Sequence, residues 1–234
     1  MARRTKKEAA NTREQLLDAA ERVFRERGVA ASSLAEVASS AGLTRGAVYW
    51  HFHDKADLYA AMCDRATLPL ETMLTEAGAT VHADPLAALR TLALTALARL
   101  AGDPRSQAVF EVMFHKSERA NELAPHAERK QRERRHCLSQ VDCVLQQAVQ
   151  KGQLPADTDT ALATQALHAY IAGIMHEWVL DPAAYDLGYA APALIDLFLA
   201  GMREHPPRRP SARRSPDCRR AARSREKALA GKAR

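Results

Sequence analysis

The chain has 234 residues, of which 47% are hydrophobic and 26% charged, and its formal net charge is +6. This length suffices for one large or two small domains, and the apolar fraction suffices for a packed core. The apolar runs are short and interrupted by charges, which argues against a transmembrane helix, and the basic N-terminus lacks the apolar core of a secretory signal. We therefore expect a cytoplasmic protein with no membrane partner.

The charge is unevenly distributed along the chain. With histidine neutral, it is +2 over residues 1–62, −5 over residues 63–204 and +9 over residues 205–234. An acidic middle segment is a poor surface for nucleic acid, so DNA contact is expected near the N-terminus. The last segment combines prolines and arginines with almost no apolar residues, which predicts a disordered basic tail over residues 205–234. Either this tail adds weak, salt-sensitive DNA affinity or it has no role.

Two elements are predicted before residue 30. Residues 1–10 are polar and basic, which predicts a mobile arm that either contacts phosphates or the minor groove or is merely solvated. Thr12-Arg13-Glu14-Gln15 has the pattern of a capping box and predicts the start of the first helix. That helix is expected to bury a face from Leu16 to Phe24 and to end near Gly28.

Residues 33–52, SLAEVASSAGLTRGAVYWHF, contain two short helical patterns around a tight turn. Ser33 and Glu36 have the spacing of a capping box, in which each side chain satisfies the backbone NH of the other residue. Apolar residues then follow at helical spacing. Gly42 is expected to adopt the left-handed conformation that ends this helix.

The second helical pattern of this stretch leaves an unusual set of side chains outside. Thr44 is expected to cap it, and Val48 and Phe52, four residues apart, are expected to face inward. Small residues near the helix start allow close approach to a surface, and a helix N-terminus favours phosphate. The pattern favours a recognition helix in the major groove, although spacing alone leaves open a helical hairpin whose aromatics are core. The residues expected to face outward are Arg45, Gly46, Tyr49, Trp50 and His51.

The stretch from Thr12 to Leu58 resembles the DNA-binding domain of TetR-family repressors. The string TRGAVYWHF at residues 44–52 is similar to that of the AcrR-like branch, which represses multidrug efflux operons. The residues that carry the resemblance in this stretch are Gly28, Leu34, Val37, Ala38, Ala41, Gly42, Leu43, Thr44, Gly46, Tyr49, His51, Phe52, Lys55 and Leu58. Shorter similarities extend it over roughly residues 1–205, and they lie at residues 1–9, 114–116, 154–157 and 170–173.

The resemblance implies an all-α fold of about nine helices, with a helix-turn-helix domain at residues 11–58 and a ligand-binding and dimerisation domain at residues 59–204. It also implies a homodimer that represses an efflux operon from a palindromic operator in double-stranded DNA and is released by a small lipophilic effector. Two alternatives remain open: a TetR-like regulator of another pathway with a metabolic ligand, and a nonspecific DNA-binding protein driven by the basic tail. The residues expected to contact DNA are Ser33, Thr44, Arg45, Gly46, Ala47, Tyr49, Trp50, His51 and Lys55.

The larger domain shows further helical patterns and no alternating strand pattern. Asp54 is placed to cap the fourth helix, which is expected to run to about Gly78 with a kink or break at Pro69. Asp84-Pro85 and Asp103-Pro104 have the signature of a cap followed by proline and predict two helix starts. The last three helices are predicted at residues 122–151, from Asp157, and at residues 190–203.

Bulky apolar side chains with isolated polar ones among them indicate a small-molecule pocket in this domain. The same residues at helical spacing equally describe an ordinary core, and the sequence does not separate the two. In this branch acidic residues often meet cationic ligands, but Thr67 occupies one such stretch here, with Asp64 and Glu71 nearby. A preference for cations is therefore not indicated. The residues expected to line the pocket are Met62, Thr67, Leu97, Phe110, Glu111, Met113, Phe114, Gln147 and Trp178.

The last two helices resemble the family's dimer face, because their small or polar residues permit close approach of another helix. Such an interface would set two recognition helices against the two halves of a palindrome. The residues expected at the interface are Gln165, His168, Ala169, Ala172, Leu197 and Gly201.

Nothing in the sequence points to catalysis or to a bound metal. The four cysteines form no CxxC pair and are interpreted as reduced thiols. His168 and His176 lie two helical turns apart, about 12 Å along the axis, which is too far to bind one ion together. No nucleophile–base pair or glycine-rich phosphate loop stands out. We expect no cofactor, no metal site and no enzymatic activity.

Overall fold

The structure, a computed structural model, describes residues 6–117 and 124–209, with side chains from residue 128 onward in the second range. Within these ranges the chain forms nine α-helices and one π-helix, and its sole strand-like feature is an isolated bridge. The all-α prediction is confirmed. The elements are α1 (Lys6–Arg27), α2 (Leu34–Ser40), α3 (Arg45–His51), α4 (Lys55–Ala79), α5 (Pro85–Gly102), α6 (Pro104–Glu111), the π-helix (Val112–Lys116), α7 (Ala124–Gln150), α8 (Thr160–Leu180) and α9 (Leu187–Glu204).

Helices α1 to α3 form a small bundle at the N-terminal end. The predicted face of α1 from Leu16 to Phe24 is buried, and so are Val48 and Phe52 on the inner side of α3. Gly42, at the α2–α3 turn, has φ +66°, a value that favours glycine. The turn therefore has the backbone that the sequence predicts.

The larger domain is built on α4, which leaves the N-terminal bundle and packs along α7. Helix α5 packs along α9, α7 against α8, and α6 lies between α4 and α8 while also reaching α1. The buried side chains of α1 and α4 belong to the same apolar cluster as those of the larger domain. Because that core is continuous, a change in the larger domain has a packed route to the DNA-binding end.

The predicted start of the first helix was wrong. Helix α1 is already formed at Lys6, and Thr12 lies inside it, where its hydroxyl donates to the Glu8 carbonyl at 2.9 Å. A threonine inside a helix returns its hydrogen bond to the preceding turn, so it does not cap. Residues 6–10 of the expected mobile arm are thus helical, and residues 1–5 lie outside the described part of the chain.

The basic tail was predicted to begin at residue 205, which is too early in the chain. The Asp159 backbone NH donates to the Pro207 carbonyl at 2.7 Å, and the Arg209 NH donates to the Asp157 carbonyl at 2.9 Å. The Arg208 guanidinium also pairs with the Asp157 carboxylate. Residues 205–209 are therefore part of the folded domain, whereas residues 210–234 lie outside the described residues.

The helix starts of the larger domain are largely as predicted. Asp54, Asp84 and Asp103 each accept a backbone hydrogen bond as N-caps. Asp159, not Asp157, caps α8, because Asp157 is bonded to the C-terminal segment. Helix α7 is first described at Ala124, so the predicted start at residue 122 lies outside the described part.

Two helices contain an internal proline. Helix α4 continues through Pro69 without a break, and it is held against α7 on both sides of that residue. The contacts are Lys130 Nζ to Thr67 Oγ1 at 3.1 Å and Thr75 Oγ1 to His136 Nε2 at 3.2 Å. Helix α9 begins three residues earlier than predicted, at Leu187, and continues through a proline at position 192. Packing against a neighbouring helix thus outweighs the local preference of proline in these two helices.

Three cysteines lie in the described residues, and all are free thiols. Cys63 is buried, and burial raises the pKa of its thiol to about 12. Among the described side chains of residues 6–117 and 128–209 we find no cluster of three metal-ligating groups. No helix in the same ranges is long and apolar enough to cross a membrane.

Candidate nucleic-acid interface

The first helix of the motif is fixed by a reciprocal cap. The Ser33 backbone NH donates to the Glu36 carboxylate at 2.8 Å, and the Glu36 NH donates to the Ser33 hydroxyl at 3.2 Å. Arg27 of α1 adds an ion pair to Glu36 at 2.6 Å. These bonds and the charge of Arg27 hold the pKa of the Glu36 carboxyl below its ordinary value. Ser33, predicted as a DNA contact, is exposed but also has this structural role.

Helix α3 is capped in the predicted way. The Thr44 hydroxyl accepts from the Ala47 backbone NH at 3.3 Å. The Leu43 NH donates to the Ala38 carbonyl at 2.9 Å, which closes the turn between α2 and α3. The α3 N-terminus is therefore presented to solvent after a turn that is closed by the backbone hydrogen bonds of Gly42 and Leu43.

The outer face of α3 carries the predicted recognition residues. Tyr49 is 49% and Trp50 72% exposed, and Thr44, Arg45 and Gly46 are exposed beside them. Exposed aromatics of this size on a seven-residue helix are not core, so the alternative of an ordinary helical hairpin is not supported. A Cβ atom added to Gly46 would meet the Thr44 hydroxyl at 3.9 Å and nothing nearer, so the surface beside Gly46 is open.

Arg45 and Tyr49 form a pair on this face. The guanidinium lies 5.5 Å from the centre of the Tyr49 ring, and one of its nitrogens is 3.4 Å from the phenolic oxygen. The two side chains are one helical turn apart, so the contact requires no distortion. The ring thus orients the side chain that is best suited to reach a base edge.

His51 and Lys55 are less accessible than the sequence predicts. His51 is half-buried between the rings of Trp50 and Phe52, at centroid distances of 4.5 and 6.3 Å. The Lys55 ammonium donates to the carbonyls of Ala30 and Ser32, at 3.1 and 3.0 Å. Lys55 therefore ties the N-terminus of α4 to the α1–α2 connection, a role that the sequence does not reveal.

A further arginine supports the motif from α1. One guanidinium nitrogen of Arg22 lies 3.2 Å from the Ser40 carbonyl and 3.4 Å from its hydroxyl. This contact satisfies an acceptor at the end of α2 and adds positive charge beside the turn. The sequence does not reveal Arg22 as a supporting residue, because its partner lies 18 residues away and no local spacing marks it.

The apolar residues predicted to line a ligand pocket are largely core. Met62, Leu97, Phe110 and Trp178 are buried, and the Trp178 indole NH donates to the Tyr185 carbonyl at 3.1 Å. Met113 and Phe114 are half-buried, and the Phe114 ring stacks on Phe110 at 5.6 Å. The structure thus brings together Phe110 and Phe114 of the predicted pocket, and they pack against each other.

The polar members of the predicted pocket are bonded to other parts of the protein. The Gln147 amide spans the α4–α5 connection: it donates to the Thr80 carbonyl and accepts from the His82 NH, both at 2.9 Å. Glu111 pairs with Arg25 of α1 at 2.8 Å. Gln147 therefore holds the α4–α5 connection, and Glu111 joins α6 to α1 at the domain junction.

The acidic residues near Thr67 are already paired. Lys130 lies 3.8 Å from Asp64 and 3.7 Å from Glu71, and Arg129 also pairs with Asp64. All of these side chains are about one-fifth to one-third exposed. Their charges are therefore paired within the protein.

An open cleft lies elsewhere, between α4, α5 and α6 of the larger domain. It has a volume of about 350 Å³ and none of the predicted pocket residues lines it. Its lining residues are Arg65, Ala66, Arg99, Asp103, Arg105 and Ser106.

The predicted dimer residues lie on the outer face of α8 and α9. Gln165, Ala169, Leu197 and Gly201 are exposed, and His168 and Ala172 are half-buried. Burial of the His168 ring lowers its pKa. Large apolar side chains are exposed around them, which is unusual for a surface that stays solvated. These side chains are Leu162, Leu180 and Tyr189.

Both parts of the chain match known families. Residues 16–62 match the family described as "Bacterial regulatory proteins, tetR family", and residues 84–203 match "MAATS-type transcriptional repressor, C-terminal region". The chain belongs to the TetR family. The predicted membership and its AcrR-like character are confirmed, because AcrR of Shigella flexneri, an HTH-type transcriptional regulator, is 37% identical over 190 residues, covering 80% of this chain and 87% of AcrR.

Solved structures of TetR-family repressors have the same fold. NalD, the secondary repressor of the MexAB-OprM multidrug efflux pump in Pseudomonas aeruginosa, superposes with a TM-score of 0.76 at 32% identity, over 84% of this chain and 98% of NalD. The complex of SmeT with triclosan gives a TM-score of 0.73 at 33% identity, over 82% and 91% of the two chains. SmeT is the repressor of the Stenotrophomonas maltophilia multidrug efflux pump SmeDEF.

Replacing Lys55 by methionine tests its contact with the α1–α2 connection. Lys55→Met keeps the aliphatic stem but leaves the Ala30 and Ser32 carbonyls without their charged donor. We expect the free energy of unfolding to fall by about 1–2 kcal/mol, measured by denaturant titration. Lys151→Met is the matched control, because the contact of the Lys151 ammonium with the Ala83 carbonyl is long, at 3.4 Å, and exposed to solvent. Equal losses in both variants would contradict the assigned role.

Proposed function

We propose that this protein is a transcriptional repressor that binds a palindromic operator as a homodimer and is released from it by a small lipophilic molecule. The observation that carries the proposal is the outer face of α3. There Arg45, Tyr49 and Trp50 are exposed beside an open helix N-terminus, on a helix that is capped and anchored on its inner side. The proposed function requires the bacterial cytoplasm, where the operator lies.

The proposed roles of the recognition residues follow from their chemistry. Arg45 presents a planar fork of donors that matches the major-groove edge of guanine. Thr44 is proposed to contact a phosphate, since it lies at the positive end of the helix. Gly46 and Ala47 leave room for the groove wall. Tyr49 and Trp50 are proposed to contact the flanking sugar-phosphate backbone.

A homodimer accounts for the exposed apolar side chains of α8 and α9. Two copies of this face would form a four-helix interface around a twofold axis, which buries Leu197 and its neighbours. The same twofold axis would present the two α3 helices to successive major grooves on one side of DNA. The exposed small residues Ala169 and Gly201 permit the close approach that such packing needs.

The proposed effector is neutral or weakly polar and lipophilic. Support comes from two sides: SmeT, at 33% identity, has been solved with triclosan, and the carboxylates Asp64 and Glu71 are already paired with basic side chains. The proposed binding region is the aromatic group of Phe110 and Phe114 with Met113. Since these side chains pack together here, the effector would have to separate them and favour a second conformation.

Release requires that the effector binds that second conformation more tightly than the one that fits the operator. The domain junction offers the route, because α6 contacts α1 directly. The Arg25–Glu111 pair joins α1 to the end of α6, immediately before the π-helix, and the Val29 NH donates to the Lys116 carbonyl at 3.1 Å. Control of an efflux operon is proposed on the relationship to NalD and SmeT.

The first test is fluorescence anisotropy with the DNA upstream of the protein's own gene and with scrambled DNA, at near-physiological salt. We expect tight binding to the upstream DNA alone and release by triclosan or by other lipophilic antimicrobials. Equal affinity for both DNAs would overturn the repressor assignment in favour of nonspecific binding. Specific binding that responds to metabolites but to none of these compounds would instead support a regulator of another pathway.

Removing Arg45 tests direct readout of a base. Arg45→Ala should weaken operator binding by about 1–3 kcal/mol and relax preference at one position of each half-site, while binding to scrambled DNA changes little. The measurement is competition between operator variants in the anisotropy assay. Arg132→Ala is the matched control: it also removes one exposed positive charge, but from α7. An equal loss on operator and scrambled DNA would show that Arg45 contacts phosphate only.

A charge at the exposed face of α9 tests the homodimer. Leu197→Asp should raise the dimer dissociation constant by about 30-fold or more, because it buries an unpaired carboxylate in each half of the interface. Light scattering coupled to size exclusion reports the mass, and operator affinity should fall in parallel. Val81→Asp is the control, because Val81 is 83% exposed and lies between α4 and α5. A Leu197→Asp protein that stays dimeric would remove this face from the interface.

A further inference from the structure

Arg65 of α4 is the centre of an ion-pair cluster across the domain junction. Its guanidinium contacts three carboxylates of α1: Glu14 at 3.0 Å, Asp18 at 2.6 Å and Glu21 at 2.7 Å. The Arg65 side chain is only 11% exposed. A side chain buried to this extent and bonded to three partners has little freedom to reorient.

The three carboxylates form one stripe along α1. Positions 14, 18 and 21 are separated by four and three residues, so they lie on one face of the helix. Glu21 is 10% exposed, and burial raises the pKa of its carboxyl while Arg65 opposes that shift. The burial of Glu21 is thus tolerated because a charged partner faces it. The orientation of this stripe relative to α4 fixes the rotation of α1 about its own axis.

Helix α6, which belongs to the larger domain, also contributes to this cluster. Arg105, in the first turn of α6, donates to Asp18 at 3.0 Å. Arg65 and Arg105 both border the open cleft of about 350 Å³, so water reaches one side of the cluster. The position of α1 is passed on to the recognition motif, because α1 packs on α2 and α3 and Arg22 is bonded to the end of α2.

We propose that Arg65 is a positioning residue for operator recognition: its three-way contact fixes the angle of α1 on α4 and thereby the placement of α3 in the dimer. This inference rests on the proposed function and names a residue in that mechanism. The apolar contacts between α1 and α4 hold the domains together but are compatible with small rotations, since they are not directional. The guanidinium fork supplies the directional restraint.

The sharpest test keeps the charge and removes the fork. In Arg65→Lys a single ammonium replaces five donors in a plane, so it cannot hold all three carboxylates in the same geometry. The matched control is Arg90→Lys. Arg90 forms a forked pair with Asp196 at 2.5 and 2.9 Å, but it joins α5 to α9 inside the larger domain. Neither side chain lies on the α3 face.

We expect Arg65→Lys to raise the operator dissociation constant by about 2- to 30-fold, the range found when residues coupled to a site are replaced. Binding to scrambled DNA should remain unchanged, and Arg90→Lys should leave both affinities unchanged. The melting temperature should fall more in Arg65→Lys than in Arg90→Lys, because Arg65 is more buried and has three partners instead of one. Unchanged operator affinity in Arg65→Lys would overturn the proposal. So would equal weakening on operator and scrambled DNA, since a loss without sequence preference would not come from the placement of α3.

A measurement without DNA separates this proposal from the proposed function. We expect hydrogen exchange of the α1–α3 amides to be faster in Arg65→Lys than in the wild type, with no such change in Arg90→Lys. If the wild-type protein shows no preference for the upstream DNA, the repressor assignment fails, and faster exchange would still support the role of Arg65 in fixing α1. Unchanged exchange in α1–α3 would remove that role whatever the DNA result.

Discussion

The recognition face depends on the anchoring of a helix that is too short to be stable alone. Helix α3 has seven residues, whereas isolated helices need about 12–15 residues to persist in water. It persists here because Val48 and Phe52 are buried under α1 and because Thr44 supplies its cap. The exposed residues on the other side of the helix therefore contribute little to its anchoring. Because Val48 and Phe52 anchor the helix, Arg45, Tyr49 and Trp50 are available to contact another surface.

The same dependence continues into the larger domain through α1. One side of α1 covers the inner face of α3, and another carries the acidic stripe that meets Arg65 and Arg105. The apolar core stabilises the assembly of α1 on α4, while the charged contacts determine its angle. A regulator needs both properties: a junction without apolar burial would separate, and one without directional contacts would not transmit a small movement of α6.

Features set by neighbouring residues could be predicted from the sequence. The Ser33–Glu36 cap, the left-handed Gly42 and the starts at Asp84 and Asp103 each involve groups within four residues of one another. The local pattern gave a wrong prediction at Thr12. The residues from Thr12 to Gln15 have the spacing of a capping box, but they lie inside α1. The capping rule describes the side chain but does not say where the helix begins. The outward face of α3 was predicted because its inner residues are apolar at helical spacing.

Features set by distant partners could not be predicted. Arg65 meets carboxylates 44 to 51 residues away, and Gln147 bonds to a connection more than 60 residues earlier. The spacing that made Gln147 and Glu111 candidates for a ligand pocket says nothing about which distant groups they contact. The π-helix at residues 112–116 has no sequence signature either. The dimer face stays a prediction: the side chains of α8 and α9 are exposed where the resemblance places it, but a contact between two chains is not a property of one chain.

The backbone bonds between residues 157–159 and 207–209 have a consequence for the two outermost helices. Helices α8 and α9 are joined by a short connection at one end, and these bonds close the other end. The two helices are therefore connected at both ends, and these connections oppose their separation. A partner that docks on this helix pair meets a surface whose shape is already set. Little conformational entropy is then lost on docking. Because the connected helix pair is stiff, the spacing between two bound recognition helices would vary little.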